Sequence, residues 1–165
     1  MAVEAAAESP LWADALRPEP EREAVFSPLG EERYALGLET IYEGYLLHYG
    51  LPRLFAPPDR DTALLLGDYL YAHGLVRVAA LHDVEAVADL AALISVCAQL
   101  RAEGSDGDGI AWAATAALLG TGKLNGGRDA LRLHGESEPL LELVRAEAGD
   151  EELDRSLAAH RRRVG

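Results

Sequence analysis

The sequence predicts an all-α fold, a helical bundle, on three observations. Ala and Leu, the strongest helix formers, dominate the apolar residues, whereas the chain holds only two Phe and one Met. From about residue 31 onwards, apolar residues recur at the spacing of a helix face. No stretch alternates apolar and polar residues as a half-buried strand does, and no repeat of fixed period occurs.

Length and charge limit the domain count and the class of partner. The 165 residues suit one domain with a sizeable core. We divide the chain into an N-terminal tail, residues 1–29, and a single helical domain, residues 30–165. The net charge of -13 repels phosphate backbones and anionic membrane surfaces, so nucleic acid is not an expected partner.

The tail is expected to contain one short helix. Ser9 suits the N-cap of this helix and Pro10 suits its first position. Prolines and charges in PEPEREAVFSPLG, residues 18–30, then end it. We expect Trp12 and Phe26 to pack the tail onto the helical domain.

The first long helix is predicted to begin at about Glu31 and to end at Gly50 and Pro52, which have ordinary helix-stop chemistry. Its core-facing residues follow one another at alternating steps of four and three. They are Tyr34, Leu38, Ile41, Tyr45 and His48.

The second helix is predicted from about Arg60 to Leu81, with Asp59 or Asp61 as its cap. Its apolar residues cover nearly the whole circumference, which is typical of a central helix or of a subunit interface. In so small a domain, covering every face within one chain is difficult, so we expect a homodimer. Asp68 stands among apolar helical neighbours, so it is expected to be buried and to need a polar partner.

A third helix is predicted from the cap Asp83 to about Glu103. Its expected buried stripe consists of Val84, Val87, Ala91, Ile94 and Ala98. GSDGDG, residues 104–109, is a glycine-rich break that lacks the ligand spacing of a calcium loop. Four short helices separated by Gly or Pro are expected to follow it.

The chain is expected to be a soluble cytoplasmic protein. Its first residues lack the basic region of a signal peptide, and no apolar run approaches the roughly 20 residues of a membrane span. Cys97 is the only cysteine and lies in an apolar helical stretch, which predicts a buried and inert thiol.

Two groups of residues raise the possibility of metal chemistry. Glu39 and Glu43 stand four residues apart, so a helix places both carboxylates on one face. Such a face can hold a divalent metal or can simply be the wet side of an amphipathic helix. His82 and Asp83 could belong to a metal-dependent phosphohydrolase, but they also suit a helix boundary capped by Asp83. For Asp68, a structural and a functional role are equally compatible with the pattern.

The stretch GLPRLFAPPDRDTALLLGDYLYA, residues 50–72, resembles the trans-isoprenyl diphosphate (polyprenyl) synthases. Those all-α enzymes carry R-R-G-x-P-T after a first Asp-rich motif, and then a buried A-x-L-x-G-D-x-L-x-A helix. Gly50 and Pro52 match G-x-P, and Gly67 and Asp68 match the G-D of the buried helix without a gap. The match covers roughly residues 34–104, and the chain has about half the usual length of that family.

The resemblance implies a degenerate site. The metal-binding D-D-x-x-D motif falls on residues 39–43, where only the outer acids Glu39 and Glu43 remain. The family's diphosphate-binding arginine pair falls on His48 and Tyr49, and a second Asp-rich motif has no counterpart. On this register the candidate metal ligands are Glu39, Glu43 and Asp68, with Mg as the ion if the family site is retained. The candidate substrate-binding residues are His48 and Arg53.

Three hypotheses of function follow. The first is a polyprenyl synthase-like pseudoenzyme that acts as a homodimer or as the non-catalytic subunit of a prenyl diphosphate synthase in isoprenoid biosynthesis. The second is a magnesium-dependent prenyltransferase that uses Glu39, Glu43 and Asp68 as ligands. The third is a carrier of a hydrophobic ligand such as a prenyl lipid. Ionising a diphosphate requires several cations around the leaving group, which favours the first hypothesis.

Overall fold

The structure is a computed structural model that describes residues 7–164, and over this range it confirms the all-α fold. Its α-helices are α1 (Pro10–Asp14), α2 (Glu32–Tyr49), α3 (Arg60–Ala79), α4 (Val84–Glu103), α5 (Asp108–Leu118), α6 (Asn125–His134), α7 (Glu138–Ala148) and α8 (Asp150–Val164), with a 3₁₀ helix at Ser27–Leu29. Extended pairing within the described range is limited to one isolated antiparallel bridge between Leu16 and Phe55. No helix of residues 7–164 combines the length and apolarity needed to cross a bilayer.

Side-chain caps mark the starts of three helices. The side chains of Ser9, Asp59 and Asp83 accept hydrogen bonds from the first turns of α1, α3 and α4. These are the residues expected as caps, with Asp59 rather than Asp61 serving α3. His82, next to Asp83, adopts a left-handed conformation with φ 59°, so the His82-Asp83 pair is a helix boundary.

Helices α2 and α3 form a close antiparallel pair built on four glycines. A Cβ added to Gly44 would lie 2.9 Å from the carbonyl oxygen of Gly67, and one added to Gly74 would lie 2.8 Å from that of Gly37. The glycines are seven residues apart on each helix, so Gly37 meets Gly74 and Gly44 meets Gly67. Backbone therefore touches backbone where the helices cross.

Helix α2 is central, and its predicted core-facing residues lie inside the protein. Tyr34, Leu38, Ile41 and Tyr45 are buried, while His48 at the end of the series is partly exposed. Beneath them, Trp112 of α5 packs against Tyr45 with ring centroids 5.5 Å apart. Helices α4 to α8 complete this core around the buried α5.

The tail packs as expected. The Trp12 ring lies 5.4 Å from the Tyr69 ring of α3. Phe26 is fully buried and stacks on Trp112, with ring centroids 5.7 Å apart. The segment that precedes α2 therefore contributes to the main core.

The predicted stripe of α4 is only partly correct, since Val87 and Ile94 are partly buried and pack against the core. Val84 is 82% exposed and Ala91 is also exposed, whereas the buried residues lie on another face. That face contains Asp89, whose Oδ1 lies 2.8 Å from Nη2 of Arg128 on α6. An acid in the middle of a helix looks like a surface residue, and its cationic partner is distant in sequence. The members of the true stripe are Ala86, Asp89, Leu90, Leu93, Val96, Cys97 and Leu100.

Helix α3 is apolar on nearly every face, but other helices do not cover all of these faces. It packs chiefly on α2 and leaves an outer face on which Leu65 is 58% exposed and Val76 is 68% exposed. Asp68 lies on this face, so its expected burial is wrong: its side chain is 72% exposed. The sequence pattern could not show that Asp68 lies on the outward face with Leu65 and Ala72.

Candidate functional site

Glu39 and Glu43 lie on one face of α2, as the spacing predicts, and Arg53 lies between them. The Arg53 Nη1 atom donates to Glu39 Oε2 at 2.6 Å, and its Nε donates to Glu43 Oε2 at 3.1 Å. The side chains of Arg53 and Glu43 are 4% and 0% exposed. Burial lowers the pKa of the guanidinium, but the charges of both glutamates outweigh that effect and raise it.

The remaining oxygens of the two glutamates bind backbone. Glu39 Oε1 accepts hydrogen bonds from the N–H groups of Val25, Phe26 and Ser27, at 2.9–3.1 Å. Glu43 Oε1 accepts one from Leu54 N at 2.7 Å. The pair therefore joins the segment before α2 and the loop after it to the middle of the helix. Every carboxylate oxygen of the pair has a partner within the protein.

Asp68 does not reach this pair. Its Oδ1 lies 3.1 Å from Nε2 of His48, near the end of α2. Burial lowers the pKa of His48, and the charge of Asp68 opposes that shift. Across the described residues, no group of three or more His, Cys, Asp or Glu side chains is arranged to hold a metal ion. Magnesium binding by Glu39, Glu43 and Asp68, and substrate binding by His48 and Arg53, stay predictions.

A second polar cluster, which we call the Asp108 cluster, joins helices α2, α4, α5 and α8. Asp108 Oδ2 accepts hydrogen bonds from the Tyr45 hydroxyl and from Arg101 Nη2, and it lies 3.3 Å from His160 Nε2. The other ring nitrogen of His160 lies 3.0 Å from the Tyr42 hydroxyl oxygen. Arg101 Nε also donates to the Tyr45 oxygen at 2.8 Å.

Electrostatics stabilise the ionised form of Asp108. Burial raises the pKa of this carboxyl, but hydrogen bonds from His160 and Tyr45 and the charge of Arg101 outweigh burial and lower it. Burial, followed by the charge of Asp108, raises the pKa of Tyr45, which keeps the phenol protonated. The cluster is thus an ionised carboxylate surrounded by three donors.

A cavity of about 390 Å³ adjoins the Asp108 cluster. Arg101, Ser105 and Arg161 provide polar groups to its wall, and Ile110, Leu157 and Val164 provide apolar ones. A smaller cavity, of about 240 Å³, adjoins Glu39 and Arg53. The charged atoms of that pair already bind one another, so the larger cavity is the better candidate for a ligand.

Sequence reasoning did not identify the Asp108 cluster. Residues 104–109 were expected to be only a flexible break, and His160 only part of a basic helix end. Asp108 and Arg101 are close in sequence, but Tyr45 is 56 residues from Arg101 and His160 is 52 from Asp108. The nearest signal was Asp108 itself, an acid two residues before the apolar run IAWAATAALL, which marks a helix start.

Comparison with known proteins produced no match: no family model, no curated protein and no solved structure resembles the chain significantly.

Proposed function

We propose that this chain is a non-catalytic helical protein that acts by pairing with another polypeptide, in the first place a second copy of itself. The supporting observation is the position of Arg53 between Glu39 and Glu43, the two acids expected to hold metal. This is the pseudoenzyme hypothesis in its homodimeric form.

The Arg53 contacts weigh against magnesium-dependent prenyl transfer. Mg²⁺ binds carboxylate oxygens at close to ideal octahedral geometry and keeps several waters. To reach Glu43 it would have to displace a guanidinium whose side chain is 4% exposed. Breaking a buried ion pair leaves an uncompensated charge, which is strongly unfavourable. Two acids whose oxygens already bind an arginine and backbone N–H groups are therefore poor ligands for Mg²⁺.

The outer face of α3 supports a second copy as the partner. Leu65, Ala72 and Ala79 are exposed and stand seven residues apart, symmetrically about Ala72. Two antiparallel copies of α3 would place Ala72 on a two-fold axis and Leu65 of each copy opposite Ala79 of the other. Such an interface is self-complementary, as a two-fold dimer requires. Small residues at the same spacing already bring α2 and α3 together in antiparallel fashion within one chain.

Analytical ultracentrifugation of the wild type and two variants tests the proposal. We expect a dimer for the wild type, a monomer for Val76→Glu, and a dimer for Leu133→Glu. Val76 and Leu133 are similarly exposed, at 68% and 62%, but Leu133 lies on α6. A monomeric wild type at millimolar concentration would contradict self-association. Adding a full-length polyprenyl synthase to the same samples tests the heteromeric alternative, in which only the mixture forms a complex.

Isothermal titration tests the non-catalytic part of the proposal. We expect no binding when Mg²⁺ and methylenediphosphonate, a stable diphosphate analogue, are titrated together at millimolar concentration. Magnesium-dependent binding of the analogue that Glu39→Gln abolishes would overturn the proposal in favour of the prenyltransferase hypothesis.

A further inference from the structure

We propose that the cavity beside the Asp108 cluster binds a small monocarboxylate with a short apolar tail. This inference does not depend on dimerisation, because it rests on α4, α5 and α8 and not on the outer face of α3.

Arg101 provides the main contact for the carboxylate. Its Nε and Nη2 atoms bind Tyr45 and Asp108, so the guanidinium is held in one orientation. Its Nη1 atom makes no hydrogen bond or ion pair with any residue between 7 and 164 and remains available to a ligand. A guanidinium fixed in this way loses little side-chain entropy when it binds an anion.

The cavity wall favours an anion although two acids belong to it. Asp108 already forms an ion pair with Arg101, and its Oδ2 also contacts the Tyr45 hydroxyl and His160 Nε2. Asp106 is exposed to solvent on the loop, whereas Arg161 adds a second positive charge to the wall. The first turn of α5, which also faces the cavity, has no side-chain cap, so its N–H groups add partial positive charge.

The apolar part of the wall favours an apolar tail on the ligand. Ile110, Leu157 and Val164 line it, and all three are only partly buried. The volume of about 390 Å³ lies within the range of small-molecule sites, about 300–1,000 Å³. A fully polar anion would leave these side chains in water, and a fully apolar ligand would leave the Nη1 atom of Arg101 without an acceptor.

Calorimetric titration of the whole protein with octanoate tests the inference. We expect binding of octanoate, weaker binding of 1-octanol, and no binding of octylammonium. Arg161→Gln should weaken octanoate binding roughly 5- to 10-fold, because it removes a charge-assisted hydrogen bond. The matched control is Arg162→Gln: Arg162 is exposed on the same helix but does not line the cavity, so affinity should not change.

Three results would overturn the inference. The first is that octanoate does not bind at millimolar concentration. The second is that Arg161→Gln and Arg162→Gln lose octanoate affinity equally. The third is that octylammonium binds as tightly as octanoate. Circular dichroism of both variants verifies that neither change unfolds the helices. A monomeric wild type that still binds octanoate would contradict the proposed dimer and leave the carboxylate site intact.

Discussion

At the scale of single residues, Arg53 and Glu43 form a buried ion pair. Replacing Arg53 with Met leaves Glu43, whose side chain is 0% exposed, as an unpaired buried charge. We expect the free energy of unfolding to fall by roughly 3–5 kcal/mol. Urea denaturation monitored by circular dichroism measures this loss.

The matched control is Arg155→Met. Arg155 also bridges two glutamates, Glu151 and Glu152, but its side chain is 60% exposed. Water screens such pairs, so the loss should stay below about 1 kcal/mol. If Arg53→Met and Arg155→Met lost similar amounts of unfolding free energy, Arg53 would not be compensating a buried charge on Glu43.

Asp108 makes a pH-dependent contribution to stability. The pKa of its carboxyl is lower in the folded protein than in the unfolded chain, where it is about 3.9. The ionised carboxylate therefore stabilises the fold above that value, and the stabilisation is lost as the pH falls toward the folded pKa. We expect the difference in unfolding free energy between wild type and Asp108→Asn to shrink from about pH 5 to about pH 2.

Urea denaturation of both proteins across this pH range measures the difference. Other carboxylates titrate in the same range, but they are common to the two proteins and cancel in the comparison. A difference that stays constant with pH would mean that the pKa of Asp108 is the same in the folded protein and in the unfolded chain.

At this scale, the role of a residue could be predicted when its partner lies close to it in the sequence. Ser9, Asp59 and Asp83 cap helices that begin at the next residue, so local chemistry identified them. Asp89 binds Arg128, which is 39 residues away, and no local pattern pointed to that partner. For Asp68 the pattern correctly showed apolar neighbours, but it could not show that Asp68 itself faces outward together with Leu65 and Ala72.

At the scale of elements, the crossing of α2 and α3 determines how closely the two helices pack. Gly44→Ala would place a methyl group 2.9 Å from the Gly67 carbonyl oxygen and 3.0 Å from the Tyr71 ring. The helices would have to separate, and overpacking of this kind costs about 1–3 kcal/mol. Because Ala favours a helix by up to about 1 kcal/mol over Gly, we expect a smaller net loss.

Thermal unfolding measures this loss, with Gly126→Ala as the control. Gly126 lies in α6, and a Cβ there meets nothing within 4 Å. The same substitution should therefore stabilise the protein by several tenths of a kcal/mol, to about 1 kcal/mol. We expect Gly44→Ala to lower the stability and Gly126→Ala to raise it, and this difference separates the effect of packing from that of helix propensity. Stabilisation by Gly44→Ala would contradict the close crossing.

The helices themselves were largely predictable, and their orientation was less so. Predicted ends for α2, α3 and α4 agree with the structure within two residues, because Asp59, Asp83 and Gly50 are strong start and stop signals. The buried face of α4 was missed because apolar residues occur on all its sides. The glycines of α2 and α3 were visible, but their pairing depends on how the two helices are aligned, which spacing within one helix does not reveal.

At the scale of the whole molecule, the net charge disfavours dimerisation, whereas the exposed apolar face of α3 favours it. Each copy carries a net charge of -13, so two copies repel one another, whereas Leu65 and Val76 bury apolar area when the copies pair. Salt screens the repulsion, since the Debye length falls from about 10 Å at 0.1 M to about 3 Å at 1 M. Apolar burial is not weakened by this screening.

We therefore expect the dimer of the wild-type protein to become tighter as salt is added. Sedimentation equilibrium at low and high sodium chloride should show a lower dissociation constant at high salt, while Val76→Glu stays monomeric in both. An interface built on ion pairs would behave in the opposite way, because screening weakens attraction between unlike charges. A dimer that dissociates at high salt would therefore exclude the outer face of α3 as the main contact and point to a charged surface instead.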